Sequence, residues 1–184
     1  MSDLTNTEKQ FLLQLAREKI VARCQRKRIA EKPFFSEPLK KKLGIFVSLH
    51  SGGELRGCIG YVKGIQPLQH AVAEMAESAA FHDPRFLPVS GEETDDLKIE
   101  ISVLSELERV EDFSEIKVGY DGLFIEKGLF SGLLLPQVAT EMGWDRETFL
   151  NQTCRKAGLP EGEWKSGKCT IYKFTAEIFS ESSL

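Results

Sequence analysis

Residues 43–62 read LGIFVSLHSGGELRGCIGYV. Two strand-like runs, 43–49 and 55–62, flank the turn Ser51-Gly52-Gly53, and the stretch reads as a β-hairpin. Upstream, Thr5 and Glu8 have the spacing of a capping box. Leu12, Ala16, Ile20 and Cys24 then recur every four residues, which predicts a helix over 6–28 with its stripe toward a core. Pro33 and Pro38 bracket a loop. Downstream, Pro67 opens a second helix whose buried face is Leu68, Val72, Met75 and Ala79. It closes near His82, because the residue before Pro84 avoids helical dihedrals.

Leu97, Ile99, Ile101 and Val103 alternate as one face of a half-buried strand over 97–104. Turns at Asp121-Gly122 and Lys127-Gly128 bound two more strands. Pro136 opens a short helix, and Asp145 N-caps another that Gly158 closes. Tyr172, Phe174, Ala176 and Ile178 predict one last strand. Helices and strands interleave, but hairpins dominate the pairing. The expectation is therefore α+β, an antiparallel or mixed sheet flanked by helices, rather than a doubly wound parallel sheet.

The chain has 184 residues, 41% of them hydrophobic and 28% charged, enough for one sizeable core. No apolar run exceeds three residues, as in Leu133-Leu134-Leu135, far too short for a membrane span. The opening MSDLTNTEKQ lacks the basic-then-apolar order of a signal peptide. Four cysteines are too sparse for a disulfide framework. These features point to a cytoplasmic protein with reduced thiols. The net charge of −4 conceals two blocks. Residues 17–42 hold ten basic and three acidic groups, +7, and residues 92–115 hold ten acidic and two basic groups, −8. The two blocks either face each other or leave a basic patch for an anionic partner. The basic block has few interleaved aromatics beyond Phe34 and Phe35, so nucleic-acid binding through 17–42 is poorly supported.

Chemistry concentrates in residues 54–60, ELRGCIG. Strict alternation puts Leu55, Gly57, Ile59 and Tyr61 on one face, toward the core. Arg56, Cys58 and Gly60 then share the other face, where a neighbouring cation suits a nucleophilic thiol. Gly57 and Gly60 permit close approach of a ligand or of another backbone. The plainer reading of the same residues is a small buried cysteine and a glycine-marked bulge. His50, His70 and His82 are the available bases, each with a plain solvated or capping role as the alternative. Asp83-Pro84-Arg85-Phe86 reads as a turn in which Asp83 accepts from local backbone. Arg85 is then free to bind an anion or an acid of the 92–115 stretch. Glu100 and Glu126 read as ion-pair partners. No CxxC, HExxH or phosphate-cradling glycine loop occurs, so no metal site and no cofactor is expected.

LRGCIG (55–60) resembles the signature hexapeptide of the AMMECR domain family. AAFHDPRF (79–86), LKIEISVL (97–104), GYDGL (119–123) and GLLLPQVA (132–139) resemble further segments of that family, in order. Gly143-Trp144-Asp145, Lys156-Ala157-Gly158-Leu159 and the strand from Tyr172 to Phe179 also fit. The likeness is to its prokaryotic members, protein A of the AmmeMemoRadiSam system. It implies a single AMMECR-type domain over 1–184, with its core about 10–180, and a smaller lobe forming a cleft near the hexapeptide. It also implies a shared pathway with a Memo-like protein and a radical S-adenosylmethionine enzyme. No reaction comes with the resemblance, and enzyme or non-enzyme stays open. One expectation is a cleft enzyme or small-molecule binder in which Cys58 is the catalytic candidate. Arg56, Gly57, Gly60 and Arg85 are its binding candidates. The alternatives are a non-catalytic protein-interaction module and, more weakly, nucleic-acid binding.

Overall fold

Thr5 and Glu8 do close a capping box: the Thr5 hydroxyl accepts the Glu8 amide at 3.3 Å, and the Glu8 carboxylate accepts the Thr5 amide at 2.7 Å. Helix α1 spans Asn6–Cys24 and buries Leu12, Leu13, Ala16 and Ile20. It stops four residues short of the expected end. Arg26 takes a left-handed φ of 55°, and its amide bonds to Arg23 O while that of Lys27 bonds to Ala22 O. This is a Schellman ending with arginine where glycine usually sits, so the sequence carries no glycine to signal it. The computed structural model describes residues 4–183, so residues 1–3 and 184 of the expected domain span lie outside the described residues.

The chain falls into two compact units, one of residues 105–176 and one of residues 4–104 with 177–183. The larger unit is built on a sheet with strand order β2-β1-β3-β8, where β1 is Ile45–Ser51, β2 Glu54–Tyr61, β3 Lys98–Leu104 and β8 Ala176–Ser180. β1 pairs antiparallel with both β2 and β3. Helix α1 and helix α2 (Leu68–Phe81) cover one face. Their Leu12, Ile20, Leu68 and Val72 pack with Val47, Leu49, Ile99 and Ile101, all essentially inaccessible to solvent. The alternation read in 97–104 is thus realised as a core-facing stripe. Part of the basic stretch is consumed within this unit. Arg17 binds Glu181 and also donates to Thr94 O and Leu97 O, and Lys32 pairs with Glu18.

The smaller unit holds a sheet of order β4-β7-β5-β6 (Glu108–Arg109, Thr170–Phe174, Gly122–Lys127 and Phe130–Leu134), all antiparallel. Helices α3 (Pro136–Glu141) and α4 (Arg146–Lys156) pack on it around Ile116, Leu123, Ile125 and Phe149. Asp145 caps α4 by accepting the Thr148 amide at 2.8 Å. The expected single last strand is two. The chain leaves β7 at Phe174 and enters β8 at Ala176, in the other sheet. Phe174 is buried whereas Ile178 is exposed, so the even-numbered residues do not share one buried face. Cys154 is fully buried, and Cys24 and Cys169 pack against their units' cores, as expected of packing residues. Burial pushes all three thiols up. No helix of the described residues is long and apolar enough to cross a membrane.

Candidate functional site around Cys58

The hairpin turn is tight: Ser51 pairs with Glu54, and Gly52 and Gly53 between them have φ of 60° and 86°. Two positive φ values in succession make the primed turn that matches strand twist, which explains two adjacent glycines. From such a turn, uninterrupted pairing would set Ser48 opposite Gly57. The register instead slips between Leu49 and His50, where Leu49 faces Gly57 and His50 faces Leu55. Arg56 is the extra residue, a β-bulge.

The bulge corrects the face assignment. Leu55 moves to the face of His50 and Ser48, and is 40% exposed rather than in the core. Gly57 stays on the core face, where a Cβ would meet Ala79 O at 2.2 Å, so the end of α2 presses directly on strand backbone. The space expected beside Gly60 is occupied by Ile45 O and the Phe46 ring. The slip brings Ser48 opposite Cys58, and Ser48 faces Glu100 on its other side. Cys58, Ser48 and Glu100 thereby form one polar row across three strands. The Ser48 hydroxyl donates to Cys58 Sγ at 3.3 Å. His50 lies on the same face, but its register partners are Leu55 and Lys98.

β2 is the sheet's edge, so Cys58 needs partners for its outward backbone groups. Asp83 and Arg85 supply both. Asp83 Oδ2 accepts the Cys58 amide at 2.9 Å, and Arg85 Nη2 donates to Cys58 O at 3.1 Å. The two side chains also bind each other, with Arg85 Nε and Nη2 donating to Asp83 at 2.9 and 2.7 Å. Asp83 accepts the Arg85 amide as well, at 3.1 Å, which is the local turn bond expected of it. The Arg85 guanidinium, helped by the Cys58 and Arg85 amides, holds the Asp83 carboxyl well below the usual carboxylate range despite burial. Arg85 is raised in turn, chiefly by Asp83, with the Cys58 side chain adding to the effect. The guanidinium held against Cys58 is therefore that of Arg85, through the Cys58 carbonyl.

Arg56, assigned that place by strict alternation, turns to Glu93 and makes a two-pronged contact at 2.8 and 3.3 Å. Arg56 and a bond from the Ser90 amide hold Glu93 low. The guanidiniums of Arg56 and Arg85 both lie by the Phe86 ring, at 6.0 and 5.4 Å from its centroid. Arg56 Nη1 is sealed from solvent with no protein acceptor. His82 is exposed at the C-cap of α2. The structure thus gathers Cys58, Arg56 and Arg85 into one neighbourhood and adds Ser48, Asp83, Phe86 and Glu93. Ser48 was hidden by the bulge, and Asp83 by its separation of 25 residues from Cys58.

Similar proteins occur among archaea. Protein TK0174 of Thermococcus kodakarensis is 49% identical over 183 residues, covering 94% of this chain and 89% of its own. Protein MK0488 of Methanopyrus kandleri is 45% identical over 188 residues, covering 97% and 90%. The crystal structure of uncharacterized protein PH0010 from Pyrococcus horikoshii superposes with a TM-score of 0.86 at 46% identity, covering 94% of this chain and 91% of that one. The AMMECR1 family model matches residues 13–179, a span that takes in the bulged hairpin, the Asp83–Arg85 clamp and nearly all of both sheets. On these grounds the chain belongs to the AMMECR1 family.

Proposed function

We propose that this chain binds a small molecule on the polar face of the larger unit's sheet, with Cys58 as its reactive thiol. One observation carries the reading. Cys58 has its amide and carbonyl fixed by Asp83 and Arg85 while its Sγ receives the Ser48 hydroxyl on that face. A rigid backbone presenting a thiol beside a guanidinium is what a positioned nucleophile or thiol carrier requires. Arg85, more than half exposed, takes the anionic part of the ligand, and Arg56, fixed on Glu93, flanks it across the Phe86 ring. Gly57 and Gly60 contribute through the backbone fit they allow. The two units act together as one domain in the cytoplasm, alongside a Memo-like protein and a radical S-adenosylmethionine enzyme.

The test is thiol titration of the folded full chain. Cys58 is expected to react with iodoacetamide before Cys154 does, and the fast phase to vanish in Cys58→Ala. Reaction of Cys58 only after unfolding removes the thiol reading.

A second reading has its own support. Arg56 and Arg85 are both engaged by carboxylates, as suits a docking surface whose hexapeptide shapes the strand without reacting. Co-purification separates the two. A Cys58→Ala chain that retains both pathway proteins and full pathway output is an interaction module.

A further inference from the structure

Helix α1 carries a second stripe besides the one packed in the core. Gln14, Glu18, Val21 and Gln25 follow one another every three or four residues along another flank. The left-handed turn at Arg26 then sends the chain back, and Lys27, Arg28 and Ile29 come to line the same space. The result is a groove of about 460 Å³ whose apolar lining is Val21, Ala22 and Ile29. Helix α1 covers the sheet face opposite the Cys58 row, so the groove does not depend on thiol chemistry.

The charges around the groove do not balance. Its carboxylate, Glu18, is held by Lys32 at 2.6 Å and by the Gln14 amide at 2.9 Å. Arg17 is engaged by Glu181 and two backbone carbonyls, and feels Asp95 as well. Lys27 and Arg28 are exposed, and their side chains make no ion pair or hydrogen bond among the described residues. The same holds for Arg26, which puts a third cation at a backbone position that glycine would fill without strain. Every charge left unanswered at the groove is therefore positive.

The lining narrows the choice of anion. No aromatic ring lines the groove, so a nucleic-acid base has nothing there to stack on. The apolar lining is recessed, which suits one projecting side chain and not the flat surface of a bilayer. We infer that this groove docks an acidic segment of another protein, with a branched aliphatic side chain on Val21, Ala22 and Ile29 and flanking carboxylates on Lys27 and Arg28.

The experiment is a two-dimensional amide NMR titration of the full chain at about 50 mM salt. The probes are the peptide DDELLDE, its counterpart DDESSDE and a short oligodeoxythymidylate. DDELLDE is expected to shift Val21, Gln25, Lys27 and Ile29 saturably, and to bind at least about tenfold more tightly than either control. Lys27→Glu combined with Arg28→Glu should weaken it about tenfold or more, and both side chains are exposed, so the fold is kept. Val21→Ser should weaken it about threefold to tenfold while leaving the charges alone. No saturable shift up to about 1 mM DDELLDE overturns the inference. Equal binding of DDESSDE, tighter binding of the oligonucleotide, or DDELLDE affinity unchanged in either variant overturns it too. Co-sedimentation with phosphatidylserine vesicles that is abolished by the paired charge reversal would assign the groove to a membrane and overturn it as well.

Discussion

Asp83 accepts the backbone amide of Cys58 while Arg85, two residues on, donates to the same residue's carbonyl. Removing Asp83 strands both the Cys58 amide and the Arg85 guanidinium. Asp83→Ala is expected to cost about 2 kcal/mol, chiefly because the Cys58 amide loses its charged acceptor. Asp83→Asn, which keeps an acceptor, should cost roughly half of that. Urea unfolding checks both, and equal losses in the two variants would count against the charge being what matters.

The same pair sets an acid limit. The folded Asp83 carboxyl binds a proton less well than in the unfolded chain, where it titrates near the ordinary value of 3.8. Its contribution is therefore complete at neutral pH and is lost progressively as pH drops below about 4. Glu93, held low by Arg56, adds to this in the same direction. Stability measured from pH 7 to pH 2 should fall more steeply for the natural chain than for Asp83→Asn.

Two glycines of the hairpin should respond differently to one methyl group. At Gly57 a Cβ meets Ala79 O at 2.2 Å, and Gly57→Ala should cost about 3 kcal/mol by forcing α2 from the strand. At Gly52 the surroundings are open and only the positive φ of 60° resists, so Gly52→Ala should cost about 1 kcal/mol. Thermal unfolding of the two variants ranks them.

Ser48 is a positioning residue for the thiol. Ser48→Ala should slow alkylation of Cys58 about threefold to tenfold, because the hydroxyl no longer stabilises the thiolate that attacks and less of it is present. Ser48→Thr should restore most of the rate. Unchanged rates would show that the 3.3 Å contact does nothing for reactivity.

Leu55 tests the bulge. On its exposed face, Leu55→Ser should shift stability by no more than about 0.5 kcal/mol, whereas Ile99→Ala in the core should cost about 3 kcal/mol. A large loss at Leu55 would mean it packs where simple alternation puts it.

Most of the fold was readable because its signals are local. The capping box at Thr5 and Glu8, the α2 stripe and the alternation in 97–104 each depend on neighbours within a few residues. The misreadings share one cause, an irregularity that leaves periodicity intact in the sequence while breaking it in space. Arg56 inserts into β2, Thr175 interrupts the last strand, and Arg26 reverses the chain without a glycine. In the candidate site the residue types were visible but their partners were not. Arg56 and Arg85 exchange the roles that spacing suggested, because a bulge and the return of the chain after α2 decide which guanidinium reaches Cys58.

The clamp on Cys58 also bears on self-association. An edge strand with free amide and carbonyl groups invites a strand from another molecule, and β2 exposes such an edge beside Leu55. At Cys58 both groups are already occupied by a carboxylate and a guanidinium of the same chain. A second chain approaching there would have to displace the Asp83–Arg85 ion pair before forming its first ladder rung. The segment that fixes the thiol thus also guards the sheet against edge-to-edge growth in concentrated solution.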